Sequence, residues 1–368
     1  MVRRGVHART RCQCLSALSE VSNVFENIFK GLASGLMTTR PTIHDVARVA
    51  GVSVATVSKA MNGRYGVAAE TVDRVMTVVA DLGYASSLVA SSMRSRTTGV
   101  IGVLVADFEP FSAEILKGVG AALRDSSYDV LAYSGSRQGN GEGWERRSLS
   151  RLSGTLIDGV IMVTPTVVNV AAEVPIVLID PHTGRADLPT VESDSLGGAR
   201  NATRYLAELG HRRIGFVGGR PDLKSSRFRD TGYREALGAA GIPFDEALVR
   251  VGFYSGEAAR DAARSLLVQE RPPTAVFAAN DLSAIALIEV ATELGIRVPE
   301  DLSVVGFDDV PEASRLTPAL TTVRQPMHQI GHTAAEMLTT LMSGQALAKT
   351  HVLLPTRLIA RATTAPPR

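Results

Sequence analysis

The stretch TIHDVARVAGVSVATVSKAMN, residues 42–62, decides how the rest of the chain is read. Thr42 is placed to cap a first helix, because its hydroxyl can accept a bond from an orphan backbone N–H of the first turn. Ile43, Val46, Ala47 and Ala50 follow at helical spacing on one face. Gly51 ends that helix, since glycine takes up the left-handed conformation that a C-terminal cap needs. Ser53 is placed to cap a second helix, with Val57, Ala60 and Met61 pointing inward and Ala55, Thr56, Ser58 and Lys59 small or polar. A helix, a glycine turn and a small polar helix form the layout of a DNA-binding helix-turn-helix; a plain helical hairpin has the same spacing.

Outward from this stretch, a loop over 63–68 leads to a third helix over 69–82, with Val72, Val75, Met76, Val79 and Leu82 on its core face and Gly83 as its stop. Upstream, Leu18, Val21, Val24, Phe25, Ile28 and Phe29 fit a weak amphipathic helix, and disorder fits residues 1–36 equally well. Met37 stands directly before the helix-turn-helix. The expectation is that residues 1–36 are a start-site artefact or a dispensable arm, which the intact mass of the native protein tests. Downstream, YASSLVASSMRSR over 84–96 has the serine-rich composition of a linker.

From Gly99 the period changes. GVIGVLVAD is a short apolar run bounded by turn residues, as a buried strand is. A helix over 112–124, the strand YDVLAYS, a helix over 144–152 and the strands TLIDGVIMV and PIVLID follow. The alternation continues through a helix over 196–209, RRIGFVGG, helices over 227–240 and 257–267, TAVFAAN, a helix over 282–294 and LSVVGFDD. Such alternation gives parallel sheets with helices on both faces, and ligands bind at the carboxyl ends of their strands. Polar residues at those ends are therefore the binding candidates: Asp107, Asp180, Asn280, Asp281 and Asp308. Asp281 and Asp309 are expected as helix N-caps.

The net charge of +2 is unevenly spread. Residues 1–37 carry +3 and residues 38–98 another +3, which leaves −4 for the remainder. A basic front on an acidic body suits a nucleic-acid-binding head on a sensor. Cys12 and Cys14, the two cysteines, make a poor zinc site and no disulfide framework, which fits a reducing cytoplasm. There is no apolar run of membrane-spanning length and no signal-peptide h-region. Catalytic signatures are missing: no G-x-S-x-G, no H-E-x-x-H and no P-loop. Gly218-Gly219 after a strand suggests phosphate without the rest of a nucleotide fingerprint. His44, His182 and His211 are scattered and read as surface or structural residues. No metal, cofactor or enzymatic activity is expected.

The run T-I-x-D-V-A, then A-G-V-S-x-x-T-V-S, then Asn62 closely resembles the DNA-binding domain of the lactose-repressor (LacI/GalR) family of bacterial transcription regulators. Two later runs match motifs of the same family: TTVRQP at 321–326 and LLPTRLIARAT at 353–363. The resemblance implies an all-α helix-turn-helix head over 37–83, a hinge over 84–98, and an α/β core of two parallel-sheet lobes over 99–368, of the periplasmic-binding-protein type I kind. The chain is then expected to cross between lobes near Ser193, near Thr321 and after Ser343.

Together with the strand ends and caps above, the resemblance implies roles for individual residues. Val54 and Ala55 read base edges as small apolar groups, and Lys59 reads a guanine or contacts phosphate. Thr42, Ser53, Thr56, Ser58 and Asn62 contact phosphates or cap. The hinge residues Val89, Ala90 and Met93 meet the minor groove, with Met93 as an apolar wedge. Ser86-Ser87 stands where the family usually has Pro-Asn, Met93 where it has Leu, and Ala68 where it has Ser. In the cleft, Arg229 grips ligand with Asp308 and Asn280, Asp107 and Asp180 add acceptors, and Tyr254 stacks on the ligand or packs. Phe108 and Phe111 line the cleft or pack. The implied partners are double-stranded operator DNA, a sugar-like effector and a second copy of the chain, in the cytoplasm at the nucleoid. A solute-binding protein that only captures sugar, and a hydrolase in the same cleft, are the alternatives; a gel-shift assay separates the regulator from both.

Overall fold

The computed structural model describes residues 41–61, 66–82, 97–135, 144–153, 156–166, 174–182 and 188–368. Asn62, Val89, Ala90 and Met93 lie outside the described residues. The chain divides into two compact units, residues 1–90 and 91–368.

In the first unit, α1 (Ile43–Ala50), α2 (Val54–Met61) and α3 (Ala69–Leu82) pack on one another. Their core is small: Val46, Ala47, Ala50, Val57, Ala60 and Val75 are buried, with Ile43, Val72, Val79 and Leu82 against them. A unit of this size holds a marginal core, so its helix caps matter. Gly51 ends α1 at a φ of 65°, donating its N–H to the Ala47 carbonyl. Met76, expected inward, is 46% exposed. Val78 packs in its place, because α3 turns its 75–78–79–82 stripe to the core.

The second unit holds two lobes. The first sheet contains β1 (Val100–Val105), β2 (Asp129–Ser134), β3 (Gly159–Val163), β4 (Ile176–Ile179), β5 (Thr190–Ser193) and β11 (His351–Leu354). Its order is β11-β5-β4-β3-β1-β2, all parallel. Around it lie α4 (Pro110–Ala122) and α5 (Trp144–Leu152). α4 starts two residues before the expected position, because Pro110 sits in the first turn, where its missing N–H costs nothing.

The second sheet contains β6 (Ile214–Gly218), β7 (Val249–Val251), β8 (Ala275–Ala278), β9 (Ser303–Asp308), β10 (Thr321–Arg324) and β12 (Arg357–Ile359). Its order is β12-β10-β9-β8-β6-β7, parallel except for β12 against β10. Its helices are α6 (Ser195–Glu208), α7 (Lys224–Ala239), α8 (Gly256–Leu267), α9 (Asp281–Glu293) and α10 (Pro311–Arg315). A last helix, α11 (Met327–Met342), returns to the first sheet and packs on β3, β4 and β5. The central strands are wholly buried, as β1, β3, β4, β6, β8 and β9 each show. That is what two helix-covered faces require.

The chain passes between lobes after β5, after β10 and between β11 and β12. The third passage, expected after Ser343, is at Pro355-Thr356, because β11 first completes the edge of the first sheet beside β5. Among the described residues no helix is long and apolar enough to cross a membrane.

Candidate functional site

In the head, Thr42 and Asp45 form a reciprocal cap. The Thr42 hydroxyl accepts from Asp45 N at 3.4 Å, and Asp45 Oδ2 accepts from Thr42 N at 2.9 Å. Arg48 Nη2 donates to Asp45 Oδ1 at 2.8 Å. That bond, with the Thr42 bonds, holds the Asp45 carboxyl well below the usual carboxylate range. Ser53 Oγ accepts from Thr56 N at 3.1 Å and shares a 2.8 Å bond with the Thr56 hydroxyl, so it caps α2. Ala68 lies where the next cap stands, and only its backbone carbonyl receives the N–H groups of Thr71 and Val72. Val54 is half-buried against the head core, Ser58 is half-buried, and Ala55 and Lys59 are exposed. Being four apart, Ala55 and Lys59 share one outward face of α2.

In the core, the strand ends bring together Arg229, Asp308, Tyr254, Asn280 and Asp180. Arg229, on α7, is 5% exposed and Asp308, at the end of β9, is 7% exposed. Arg229 Nη1 lies 3.7 Å from Asp308 Oδ1 and donates to the Ala279 carbonyl. Its guanidinium stacks 3.8 Å from the Phe307 ring centre and 5.5 Å from that of Tyr254. Arg229 Nε is buried and makes no hydrogen bond among the described residues. Such an orphan donor calls for an explanation, and a ligand acceptor is one.

A relay of hydrogen bonds ties this pair to the first lobe. Gln325 Nε2 donates to Asp308 Oδ1 at 2.6 Å, Ser193 Oγ donates to Gln325 Oε1, and Asp180 Oδ1 accepts from Ser193 N at 3.1 Å. Burial pushes the Asp180 carboxyl up to about 7, opposed by the Ser193 bond and reinforced by Glu192. Burial likewise raises Asp308 to about 6, against the pull of Arg229 and Gln325 and with the help of Glu109. Asp107 is exposed and accepts from Phe108 N at 2.7 Å; Phe108 is 54% exposed, and Phe111 packs on the first-lobe core.

Asn280 caps α9: Oδ1 accepts from Ser283 N at 3.0 Å, and Nδ2 donates to the Tyr254 carbonyl at 3.3 Å. Asp281, expected as that cap, is instead fully buried, accepting from Thr322 Oγ1 at 2.5 Å and Val310 N at 2.9 Å. Asp309 also differs from expectation. It pairs with Arg324 and Arg361, each at 2.6 Å, while Val310 stands at the cap position of α10. Asn280 and Asp281 can both cap, so a one-residue shift in helix start exchanges their roles, whereas α10 starts at Val310-Pro311 with no side-chain cap and leaves Asp309 to its two arginines. Gly219 serves packing: a Cβ there would lie 2.2 Å from the Tyr254 ring, so the glycine makes room for that ring. His211 is buried among Thr274, Ser303 and the Ala365 carbonyl, a structural role.

Backbone strain collects in the same place. Thr164, Asp180, Phe253, Tyr254, Asp308 and Asp309 have positive φ, each at or just after the carboxyl end of a strand. Non-glycine residues held there cost about 1–3 kcal/mol each and cluster at functional sites.

A cavity of about 160 Å³ adjoins this cluster between the lobes, lined by Asp180, Glu192, Ser193, Lys224, Ser225 and Phe228 among others. Lys224 Nζ bonds Glu192 Oε1 at 2.6 Å across the lobes. Of these, only Asp180 was singled out in the sequence. Gln325 and Ser193 were also passed over, although both follow the strand-end rule that found Asp308: Ser193 ends β5 and Gln325 follows β10.

Comparisons with known proteins identify the family and the fold. Residues 42–87 match the family described as bacterial regulatory proteins, lacI family, and residues 203–364 match a periplasmic binding protein-like domain. The HTH-type transcriptional regulator CelR of Thermobifida fusca is 35% identical, covering 88% of this chain and 98% of that protein. Catabolite control protein A of Priestia megaterium is 31% identical, covering 88% of this chain and 99% of that protein. Among solved structures, a lac repressor dimer bound to operator and the anti-inducer ONPF superposes with a TM-score of 0.76 at 27% identity, over 89% of this chain and all of that one. A CelR–cellobiose complex superposes with a TM-score of 0.67 at 34% identity, over 88% of this chain and all of that one. The chain belongs to the lacI family of bacterial regulatory proteins and is a DNA-binding transcription regulator, not an enzyme.

Proposed function

We propose that the protein is a homodimeric repressor that binds a near-palindromic operator and changes its affinity when a sugar-like effector enters the cleft. The observation that carries the effector reading is Arg229: a buried guanidinium with an orphan Nε, set beside Asp308 and beneath Tyr254. A planar donor next to carboxylate acceptors suits paired hydrogen bonds to vicinal hydroxyls, and an aromatic face suits a sugar's C–H surface. Cellobiose in the CelR complex is the first compound to try. Asp180 closes the site from the first lobe, and Asn280 positions Tyr254 through its carbonyl.

In the head, Ala55 and Lys59 face the bases. Thr42, Ser53, Thr56, Ser58 and Asn62 fix register on phosphates, with Val54 divided between core and groove. Division of the chain at 37–83, 84–98 and 99–368 gives a head, a hinge and a sensor. Val89, Ala90 and Met93 of the hinge then enter the minor groove, where an apolar wedge replaces lost base stacking. The work is done at the nucleoid, in the cytoplasm. Two-fold symmetry of the protein pairs with two-fold symmetry of the site.

Fluorescence anisotropy with operator and random DNA tests this reading. Log affinity is expected to fall steeply and linearly with log salt, as released counterions dictate. A flat response for both DNAs contradicts it. Met93→Ser is expected to weaken operator binding strongly and random DNA little, whereas Met93→Leu holds operator binding; equal affinities across the series contradict the wedge.

A further inference from the structure

The Arg229 cluster does not fill the polar surface between the lobes. Lys224, Ser225, Phe228 and Arg229 stand at i, i+1, i+4 and i+5 on α7, so they form one face of that helix. This face runs about 7.5 Å along the axis at 1.5 Å per residue. Arg229 lies at one end, with Asp308 and Tyr254. The other three residues of the face line the cavity of about 160 Å³, together with Asp180 and Ser193. The two ends are joined: Ser225 Oγ lies 3.3 Å from the Tyr254 hydroxyl, and Ser193 reaches Asp308 through Gln325.

Phe228 and Leu353 line the cavity and are 41% and 64% exposed. They give the cavity an apolar wall beside its polar groups, with the Lys224 ammonium 5.5 Å from the Phe228 ring centre. Carboxyls outnumber cations here, and Asp194 also lines the cavity. Lys224 is paired with Glu192 and Arg229 with Asp308, and Asp180 adds a further carboxyl. A phosphate or carboxylate entering here meets more carboxyls than cations.

Building on the sugar reading above, we infer that the effector is neutral, rich in hydroxyls and longer than one sugar ring. One ring lies at Arg229 and Asp308, and the next lies in the cavity against Phe228. Phe228 then determines selectivity for length, and the paired Lys224 and Glu192 exclude anionic sugars.

Calorimetry on the full-length protein tests this, with maltose, cellobiose, sucrose and trehalose against glucose, fructose and glucose 6-phosphate. At least one disaccharide is expected to bind ten-fold or more tighter than every monosaccharide and than the phosphate. Phe228→Ala is expected to lower that affinity at least ten-fold and to leave the Tm of the ligand-free protein unchanged, because the ring is partly exposed. A monosaccharide or glucose 6-phosphate that binds as tightly as any disaccharide, and loses binding in Arg229→Ala, overturns this inference alone. Disaccharide binding indifferent to Phe228→Ala overturns it as well. No binding by any of these sugars overturns both this inference and the sugar reading.

Discussion

In the first lobe the order β11-β5-β4-β3-β1-β2, and in the second β12-β10-β9-β8-β6-β7, give each sheet the same succession of strands from edge to edge. Their strand ends nevertheless carry different chemistry. The second lobe holds Arg229, Asp308, Asp281, Asn280 and Tyr254 in mutual contact or one bond apart. Beneath them runs a column of rings: Tyr233 stacks on Phe216 at 5.0 Å, Phe216 meets Phe277 at 5.3 Å, and Phe277 meets Phe307 at 6.4 Å. Phe307 in turn carries the Arg229 guanidinium. The first lobe contributes Asp180, Glu192 and Ser193, which reach across to Lys224 and Gln325. One lobe is thus a prepared half-site held by packing, and the other is its closing face. A repeated architecture fixes where a site lies, while side chains decide which half does the gripping.

If that contrast is right, damage to the scaffold of the second lobe has the larger consequences. Asp281→Ala strands the buried Val310 N–H and Thr322 hydroxyl. The expected loss is about 2–4 kcal/mol, from two unsatisfied buried donors, read as a shift in urea midpoint at unchanged slope. A loss below about 1 kcal/mol breaks the contrast.

Asp180, on the closing face, is expected to act through pH. Its carboxyl is raised to about 7 by burial, so the folded state favours the protonated form. The stability this contributes is fully present below the unfolded carboxylate pKa near 4 and is lost as pH rises through 7. One such proton changes stability by no more than about 1.4 kcal/mol per pH unit. Tm measured from pH 4 to 8 should decline less in Asp180→Asn than in the wild type. Parallel curves would show that Asp180 titrates normally.

Smaller still is the effect expected at the lobe-spanning pair. Glu192 and Lys224 have side chains about a quarter exposed. Lys224→Met is expected to cost under about 1 kcal/mol, and the difference from wild type should shrink further in high salt. A loss of several kcal/mol would make the first lobe a structural partner rather than a closing face.

Most of this architecture was legible because its signals are periodic. α3 and α5 lie over the expected residues 69–82 and 144–152, and the buried strands stand out as apolar runs. The short edges were not legible. TVES in β5 and VRV in β7 are too brief and too polar to read as strands. α11 went unread because its inward stripe of Ile330, Gly331, Ala334, Ala335 and Leu338 is mostly small residues. In the site, charged residues announced themselves at strand ends, whereas Ser193 and Gln325 gain importance only from partners 132 residues apart in sequence. The exchange of roles between Asn280 and Asp281 follows from a helix that begins one residue earlier than its pattern suggests.

The account stands or falls on whether the grip in the second lobe governs the head. Operator affinity should be measured by anisotropy, with and without a sugar that binds the wild type, for the wild type and Arg229→Ala. The expected result is equal affinity for the two proteins without sugar, a marked shift on adding sugar to the wild type, and no shift in Arg229→Ala. Loss of one charged donor is worth about 1.5–3 kcal/mol, so sugar affinity itself should fall at least ten-fold. An Arg229→Ala protein whose operator affinity responds to sugar as the wild type does would contradict the account.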